Sequence, residues 1–503
     1  MQDHFQVAVI GGGINGVGVA REAAARGYET LLVEKNDFGH ATSGNSSKLI
    51  HGGIRYLEQG NFALVKEALK ERKILSKIAP HLAKPLRFNI PVYRDSLRPW
   101  WMIWIGTRLY DWFAGKENLE PSSVLDLAEC SKIKHLKKDE LIRICQYSDI
   151  QTLDSRLTLE TALSAKDYGA SVHNYTELVN VKRENGIYLL ELLEHRSNKI
   201  RQVESKVLVN AAGPWVSRLD ALLPHPKPGP GLRYVRGIHF VIRGSIHNEG
   251  FLILPRDGRV IFVLPWCQNY TLIGTTETVY KENDFDHVPV SKEEEEYLFD
   301  TMKEFFPDLS LGEQDVLYKY SGVRSLIDGN ASNSSSLSRE SIITEDWDSL
   351  NSGYLAIFGG KLTTYRSMGV KIMDRIQKKH QPAGPRKANT EINPLPGGIP
   401  VPAAKALEME QEAKKIGIET EQLEIWKFRY GSRWISVLDL ALQNPELRET
   451  IGTPFYSKAE IAYSMRDEMG WELDDFILRR TKTCYELDSK GRAEVQRIIE
   501  EMR

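Results

Sequence analysis

The chain has 503 residues, which is long enough for two or three domains. Of these residues 41% are hydrophobic and 27% charged, a composition typical of globular proteins. Its 66 basic and 68 acidic side chains nearly cancel, so we expect no nucleic-acid partner. No apolar run approaches the roughly 20 residues that span a bilayer, and the N-terminus lacks a signal pattern, so any membrane contact would be peripheral. The cysteines are too scattered for a disulfide framework or a zinc or iron–sulfur site, which favours a reducing cytoplasm. They are Cys130, Cys145, Cys267 and Cys484.

Residues 7–34 read as a strand, a helix and a second strand, with a glycine-rich turn after the first strand. Gly11, Gly13 and Gly16 have the G-x-G-x-x-G spacing that permits a tight turn, close approach of a pyrophosphate and close packing of the helix. Glu34 follows eighteen positions after Gly16, where a carboxylate accepts hydrogen bonds from both ribose hydroxyls of an adenosine and repels a 2′-phosphate. The pattern predicts a dinucleotide site; a glycine-rich turn that binds nothing is the alternative.

Residues 36–60 are rich in glycine and serine and show little alternation, which predicts a long extended loop. A loop directly after Glu34 would run beside the bound dinucleotide, where its polar residues offer contacts to phosphate or flavin. These residues are Thr42, Ser43, Ser46, Ser47 and Lys48. A disordered serine linker is the alternative, but His51, Arg55 and Tyr56 follow within the same loop and suit an anionic ligand.

Residues 61–83 have apolar positions at helical spacing and predict a scaffold helix. Residues 97–113 concentrate aromatic side chains between basic ones. Such a segment is typical of an interfacial membrane anchor, but a buried helix of a substrate domain explains the same pattern, and both interpretations stay open. The aromatic residues are Trp100, Trp101, Trp104, Tyr110, Trp112 and Phe113, and their basic neighbours are Arg94, Arg98, Arg108 and Lys116.

From residue 150 to 182 the pattern predicts a helix and then strands at 171–172 and 178–181. A further strand ends in the small residues Asn-Ala-Ala-Gly at 210–213. Small residues at the end of a parallel strand permit close approach to a dinucleotide, although a simple tight turn explains them too.

Residues 232–278 alternate strongly between apolar and polar positions, which predicts antiparallel strands of a second, substrate-covering domain. His239 lies inside one of these strands. A lone histidine in an apolar strand is usually a packed core residue, and a catalytic role is the competing interpretation.

Cationic residues follow glycines at two later places in the chain. Arg324 comes shortly after a glycine, and an apolar strand further on leads to Gly359 and Gly360 and then to a predicted helix that begins near Leu362. The N-terminus of that helix would hold an anion, or a developing negative charge on a flavin, with polar residues nearby. These are Lys361, Thr363 and Thr364.

The segment 394–404 carries four prolines and two glycines and therefore predicts a domain boundary. Residues 405–503 are charged and helical in pattern, without recognisable catalytic residues. We expect them to form an accessory domain.

Six stretches together resemble the FAD-dependent glycerol-3-phosphate dehydrogenases, the respiratory enzymes unrelated to the soluble NAD-linked ones. They are GGGINGVGVA, ATSGNSSKLIHGGIRYLE, RPWWMIWIG, NAAGPW, YSGVR and FGGKLTTYR. The resemblance covers about residues 5–395 and continues at 430–432 and 478–482. It implies an α/β fold with a Rossmann-like FAD-binding domain of the glycine/D-amino-acid oxidase type, an antiparallel β substrate domain and a C-terminal α-helical cap domain.

The resemblance also implies that two domains are interleaved along residues 1–393. The FAD-binding segments are then about 1–85, 150–230 and 325–393, and the substrate-binding segments are about 86–149 and 231–324. The linker at 394–404 and the helical domain at 405–503 follow.

Site residues are implied in the same way. The residues that would line FAD are Gly11, Gly13, Gly16, Glu34, Thr42, Ser43, Lys48, Leu49, Val179, Gly213, Gly360, Leu362 and Thr363. The residues that would surround the substrate are His51, Arg55, Tyr56, His239, Arg324 and Lys361.

The implied reaction is oxidation of sn-glycerol 3-phosphate to dihydroxyacetone phosphate, with hydride transfer to FAD. Arg55 and Arg324 are the first candidates for the phosphate, because the planar guanidinium matches phosphate oxygens. His239 is our first choice of base, since an unperturbed pKa of about 6.5 suits proton transfer near neutrality. Lys361 is the other candidate base, and its ammonium would otherwise stabilise an alkoxide or a reduced flavin.

The sequence shows no iron–sulfur or haem ligands, so we expect a membrane quinone to accept the electrons. The protein would then be cytoplasmic and peripherally bound to the inner face of the cell membrane, with a homodimer compatible with this reading. Related oxidases that use oxygen carry a longer insertion in the middle of the chain, which is missing here. The remaining alternatives are a D-amino-acid or glycine oxidase and a non-catalytic membrane scaffold that holds FAD.

Overall fold

A computed structural model describes residues 3–58, 60–224, 229–267, 269–328, 341–452, 456–482 and 484–503. The strands are β1 (His4–Ile10), β2 (Thr30–Val33), β3 (Leu49–Ile50), β4 (Ala83–Tyr93), β5 (Ser123–Leu125), β6 (Leu141–Thr152), β7 (Ser171–His173), β8 (Thr176–Glu184), β9 (Ile187–Glu194), β10 (Lys199–Asn210), β11 (Leu232–Arg243), β12 (Gly250–Ile253), β13 (Ile261–Trp266), β14 (Tyr270–Gly274), β15 (Thr278–Val279), β16 (Val316–Ile327), β17 (Ile342–Trp347) and β18 (Gly353–Phe358). The α-helices are α1 (Ile14–Ala25), α2 (Arg55–Glu58), α3 (Phe62–Ile78), α4 (Trp100–Ala114), α5 (Leu127–Lys132), α6 (Asp154–Asp167), α7 (Val216–Asp220), α8 (Lys292–Phe305), α9 (Tyr365–Gln377), α10 (Ala403–Lys415), α11 (Thr420–Tyr430), α12 (Trp434–Gln443), α13 (Lys458–Glu468) and α14 (Ser489–Met502).

The first sheet has a parallel centre in the order β18-β10-β1-β2-β7, with β17 antiparallel at one edge and the β8–β9 hairpin joined to β10. Helix α1 connects β1 to β2 and packs against α6 and α9. Val7, Ala8 and Val9 of β1 are fully buried, as expected for a strand covered on both faces. The strand, helix and strand predicted for residues 7–34 are confirmed.

The second sheet is mostly antiparallel and contains the long pairs β4 with β6 and β11 with β16. Strands β11, β13 and β14 pair as predicted for residues 232–278, while β12 runs parallel to β4. Its apolar side chains form a core with α8. The register places His239 of β11 opposite Gly274 of β14 on one side and Tyr320 of β16 on the other.

Several local predictions need adjustment. Residues 36–60 are not one extended loop, because they contain β3 and α2. The helix expected near Leu362 begins at Tyr365, since the preceding residues form a turn. The scaffold helix at 61–83 and the helical C-terminal region are confirmed.

Helix α4 lies on the surface, so the interpretation of 97–113 as a buried helix is wrong. The exposed fractions of Trp101, Trp104 and Trp112 are 53%, 40% and 71%, and only Thr107 and Tyr110 are buried within the helix. Among the described helices, none combines the length and apolar character that crossing a bilayer requires.

The C-terminal helices are joined to the first sheet by buried polar contacts. Within the predicted linker, the amide of Gly397 donates to Oε2 of Glu160 at 2.9 Å, and residues 395–398 are buried. Asp37, which follows β2, accepts hydrogen bonds from both Arg479 and Arg480, with Arg480 Nη2 at 2.9 Å from Oδ1. Burial alone would raise the pKa of Asp37, but the two guanidinium groups lower it to about 2.

We expect Asp37→Asn to lower the free energy of unfolding at neutral pH by about 3–5 kcal/mol, because two buried arginines lose their counter-charge. A folded-state pKa of about 2, below the ordinary 3.8, means that this stabilisation is present above about pH 4 and lost as the pH falls towards 2. Denaturant unfolding of both proteins across this pH range measures the difference, which should shrink in acid.

The control is Asp3→Asn, which removes an exposed carboxylate 2.7 Å from Arg201 and should change stability little. Equal stability of Asp37→Asn and the wild type at neutral pH would show that the ion pairs of Asp37 with Arg479 and Arg480 do not contribute to the free energy of unfolding.

Candidate functional site

One large cavity of about 690 Å³ lies where the two sheets meet. From the first sheet, its wall includes residues at the carboxyl ends of β1, β2, β10 and β18. From the second sheet, it includes His239, Phe262 and Arg324. Ligands of open α/β sheets bind at the carboxyl edge of the parallel strands, and the volume is in the range of cofactor and substrate sites.

The glycine loop has the geometry that the motif requires. Gly11 has φ +113°, and a Cβ there would lie 2.6 Å from the carbonyl oxygen of Ala211. A Cβ on Gly16 would overlap the carbonyl oxygen of Gly11. At Gly13, by contrast, the nearest atom to an added Cβ is Ser43 Oγ at 3.3 Å, so this position is the least crowded of the three. Gly11 and Gly16 therefore serve close packing, and Gly13 lines the cavity, where a glycine lets a ligand approach the backbone.

Glu34 lies at the end of β2 on the cavity wall. Its Oε2 accepts a hydrogen bond from the amide of Gly12 at 2.6 Å, and Oε1 accepts one from the amide of Asn36 at 2.9 Å. Burial raises the pKa of Glu34, whereas these two hydrogen bonds oppose the rise. Each carboxylate oxygen retains a lone pair, so the group can still accept the ribose hydroxyls of a dinucleotide.

The hydroxyl residues that follow β2 join the two sheets around the cavity. Ser43 Oγ accepts from the amide of Ile14, the first residue of α1, at 2.9 Å. Thr42 Oγ1 donates to the carbonyl oxygen of Val323 in β16 at 2.6 Å. Both residues line the cavity, as do Ser46, Ser47 and Leu49.

The Lys48 side chain does not lie on the cavity wall, contrary to the expectation of a cationic contact to phosphate or flavin. It is buried, and its Nζ donates to Oδ1 and Oδ2 of Asp154 at 2.9 and 2.7 Å. Burial lowers the pKa of Lys48 to about 7, and Asp154 limits that decrease. The ammonium group therefore holds the loop in place through an ion pair with α6.

The segment 51–56 meets the segment 360–363 across the cavity. Thr363 Oγ1 accepts from the amide of His51 at 3.1 Å and donates to its carbonyl oxygen at 3.2 Å. Lys361 Nζ lies 3.9 Å from the centre of the Tyr56 ring, a cation–π contact. His51, Arg55, Tyr56 and Lys361 all line the cavity.

His239 is 2% exposed and lies on the cavity wall. Its ring stacks on Tyr320 with centroids 4.7 Å apart, and Nε2 is 3.0 Å from Ser47 Oγ. Within the described residues, the buried Nδ1 has no hydrogen-bond partner. Burial, followed by the charges of Lys48 and Arg324, holds the pKa of His239 well below 6.5, so the imidazole is neutral at pH 7.

Arg324 extends from β16 into the same cavity. Its Nη2 donates to Thr275 Oγ1 at 3.0 Å, and its Nη1 donates to Oε1 of Glu277 at 3.3 Å. These contacts orient the guanidinium on the cavity wall, which His239 also lines. The other predicted residues that line the cavity are Val179, Gly213, Gly360 and Leu362.

Several cavity residues were not predicted. Asn15 lies inside the glycine motif; its Oδ1 is buried without a hydrogen-bond partner in the described part of the chain, and its Nδ2 is 3.5 Å from the Gly359 carbonyl oxygen. Glu277 follows an apolar strand in a polar cluster, a signal comparable to that of Glu34. Trp215 belongs to the NAAGPW stretch, whereas Asp149 had no local signal, because only the tertiary fold brings it to the wall.

An α/β sheet with this glycine loop, an acidic strand end and a large cavity at its carboxyl edge defines a dinucleotide-binding protein. Residues 6–365 match the family model described as FAD dependent oxidoreductase, and residues 388–503 match that of the C-terminal domain of alpha-glycerophosphate oxidase. The chain therefore belongs to the family of FAD-dependent oxidoreductases, and FAD is its cofactor, as predicted. The residues of this loop fit such a ligand. Gly13 has no side chain to block the cavity, and the buried Asn15 Oδ1 can accept a hydrogen bond that no described residue donates.

Relatives cover nearly the whole chain. The aerobic glycerol-3-phosphate dehydrogenase of Escherichia coli is 36% identical over 502 residues, 98% of this chain and 97% of that protein. The glycerol-3-phosphate dehydrogenase of Pseudomonas aeruginosa is 36% identical over 479 residues, 95% of this chain and 91% of that protein. The X-ray structure of the glycerol-3-phosphate dehydrogenase from Bacillus halodurans complexed with FAD aligns with a TM-score of 0.77 at 26% identity, covering 99% and 94% of the two chains. The predicted family and fold class are confirmed.

We expect Gly16→Ala to abolish FAD binding, because the added methyl would displace the Gly11 carbonyl from the turn that faces the pyrophosphate. The matched control is Gly106→Ala in α4, where a Cβ meets nothing within 4 Å. The ratio of flavin to protein absorbance after purification is the measurement. Full flavin content in Gly16→Ala would contradict the packing role.

Proposed function

We propose that the protein oxidises sn-glycerol 3-phosphate to dihydroxyacetone phosphate and passes the electrons through FAD to a quinone. The names of the relatives at 36% identity support this substrate. The observation that carries the proposal is the shared cavity wall of Arg55, Arg324, Lys361 and the neutral His239. Cations suit the phosphate, and a neutral buried imidazole suits removal of a proton from an alcohol.

In this proposal Arg55 and Arg324 bind the phosphate. Thr275 and Glu277 fix the orientation of the Arg324 guanidinium through the hydrogen bonds at 3.0 and 3.3 Å. A fixed planar fork loses little freedom when it binds two phosphate oxygens. Tyr56 completes this part of the wall below the Lys361 ammonium.

We propose that His239 accepts the proton of the secondary alcohol. Nε2 lies 3.0 Å from Ser47 Oγ and Nδ1 has no hydrogen-bond partner among the described residues, so one ring nitrogen can carry a hydrogen while the other accepts the proton. FAD, when bound, supplies the acceptor for the hydride that leaves carbon 2. Lys361 is the alternative base, and otherwise its ammonium stabilises negative charge that develops in the cavity.

We also retain the proposed division of residues 1–393 into interleaved FAD-binding and substrate-binding segments. It is supported by the distribution of the strands, because the first sheet draws on residues 4–33, 171–210 and 342–358, and the second on 83–152 and 232–327. The short strand β3 joins the second sheet from within a segment assigned to FAD.

The test is anaerobic addition of sn-glycerol 3-phosphate to the purified holoprotein. Rapid loss of the absorbance of oxidised flavin supports the proposed substrate, and flavin that stays oxidised contradicts it. Bleaching by D-amino acids or glycine instead would favour an amino-acid oxidase. Reoxidation of the reduced protein by a soluble quinone analogue faster than by air supports the quinone, and the reverse order favours an oxidase.

We expect His239→Gln to slow flavin reduction by about 100- to 10,000-fold, because the variant lacks the base. The matched control is His287→Gln, which alters an exposed side chain and should leave the rate unchanged. The pKa of His239 lies well below 6.5, so protonation of the imidazole should slow the wild-type enzyme only at a pH below 6.5. The variant should not show this decrease in rate in acid. Stopped-flow reduction from pH 5 to 8 measures both. If His239→Gln contains FAD and its flavin is reduced at the wild-type rate, another residue is the base.

We further propose that α4 attaches the protein to the inner face of the cell membrane. The exposed indoles of Trp101, Trp104 and Trp112 form an aromatic surface of the kind found at membrane interfaces, and Arg108 and Lys116 are exposed beside them. A homodimer that buries the same surface is the competing proposal.

Replacing Trp101, Trp104 and Trp112 with serine should release the protein from vesicles that contain anionic lipids, because the apolar contact area is lost. The control replaces Ile392 and Leu407, exposed apolar residues elsewhere, with serine. Co-sedimentation with vesicles measures binding. Unchanged binding of the tryptophan variant would contradict the anchor, and a shift from dimer to monomer without lipid would support the homodimer.

A further inference from the structure

A buried polar chain connects helix α4 to the loop that carries the proposed phosphate ligand Arg55. The amide of Gly52 donates to the phenolic oxygen of Tyr110 at 2.7 Å, and the phenol donates to both carboxylate oxygens of Asp149 at 2.8 Å. Gly52 lies three residues before Arg55. Tyr110 therefore contacts this segment without being one of the residues that line the cavity, whereas Asp149 does line it.

At the other end of this series of hydrogen bonds, Arg72 holds Asp149. Arg72 Nη1 donates to Asp149 Oδ1 at 2.7 Å and to the carbonyl oxygen of Ser148 at 2.9 Å. Tyr110, Asp149 and Arg72 are all at most 1% exposed. Burial, and then the Asp149 charge, raises the pKa of Tyr110 well above 10, so the hydroxyl keeps the proton that it donates.

The same loop is held on its other side by the hydroxyl of Thr363, which bonds both backbone groups of His51. Two adjacent residues are thus held by side chains from distant parts of the sequence. A side chain at Gly52 would disturb one of these contacts, because a Cβ there would meet the Tyr110 hydroxyl and lie 2.6 Å from Leu69 Cδ2. The amide of Tyr56 then bonds the Gly53 carbonyl at 2.9 Å and begins α2.

We propose that Tyr110 is a positioning residue for substrate binding: it fixes the backbone of residues 51–53 so that Arg55 and Tyr56 face the substrate. This inference rests on the proposed function, in which Arg55 binds the phosphate. Tyr110 touches neither substrate nor cofactor, and it acts through Gly52. If the backbone is held less firmly, the Arg55 guanidinium adopts more orientations. Binding of the substrate is then weaker in the ground state and in the transition state alike.

The test is Tyr110→Phe, which keeps the ring and removes only the hydroxyl. We expect the KM for sn-glycerol 3-phosphate to rise about 10-fold with kcat within about twofold, since uniform binding is lost. FAD content should equal that of the wild type. The matched control is Tyr430→Phe in the C-terminal domain, where the phenol donates to Glu460 Oε1 at 2.9 Å and Arg429 bonds the same oxygen, also at 2.9 Å. Its KM should not change.

A second variant, Gly52→Ala, should raise the KM in the same way. Its methyl group would collide with the Tyr110 hydroxyl and separate the residue 52 backbone from it. An unchanged KM in Tyr110→Phe, a loss confined to kcat, or loss of FAD or folding would overturn the proposal, because Tyr110 would then act elsewhere or serve stability alone. Failure of the proposed function is distinguishable, since the wild-type flavin would then not be reduced by sn-glycerol 3-phosphate.

Discussion

The site depends on the close approach of α1 to the end of β10. The Gly11 carbonyl occupies the space that a side chain at Gly16 would need, and the Ala211 carbonyl does the same at Gly11. Without side chains at these points, the helix N-terminus can lie directly above the carboxyl edge of the parallel strands. The loops that leave this edge then bring residues from distant parts of the sequence to one cavity.

The electrostatics of that cavity link anion binding to proton transfer. Arg324 contributes positive charge on the wall, and the buried Lys48 contributes it from behind, and both disfavour a charged His239. Burial is the main reason that the pKa of His239 is low, and the positive field that adds to it would attract a phosphate dianion. In the proposed reaction, the charge of the bound dianion would offset this field as His239 takes up the proton. Substrate binding would therefore strengthen the base that acts on the substrate, and burial enlarges the effect because charges interact more strongly at low dielectric.

Local signals in the sequence were sufficient to predict the glycine turn after β1 and the acidic end of β2. The spacing of the glycines and the position of Glu34 depend only on one strand, one helix and the next strand, so periodicity and turn chemistry predict them. Lys48 shows the limit of such reasoning. It stands beside Ser47 in the same polar loop, yet Ser47 faces His239 while Lys48 pairs with Asp154, more than a hundred residues away. The exposure of α4 could not be predicted for the same reason, since an aromatic helix has the same pattern whether protein or solvent covers it.

The C-terminal helices contribute to the cofactor site although their own sequence shows no catalytic residue. Asp37 lies three residues after Glu34, and the buried Arg479 and Arg480 bind its carboxylate. The amide of Asn36, directly before it, holds one carboxylate oxygen of Glu34. The two matched family regions, 6–365 and 388–503, are therefore joined by buried charges next to the turn that orients the Glu34 carboxylate. Because a buried carboxylate without its cationic partners is strongly disfavoured, the turn after β2 can keep this form only while the C-terminal domain is packed against it.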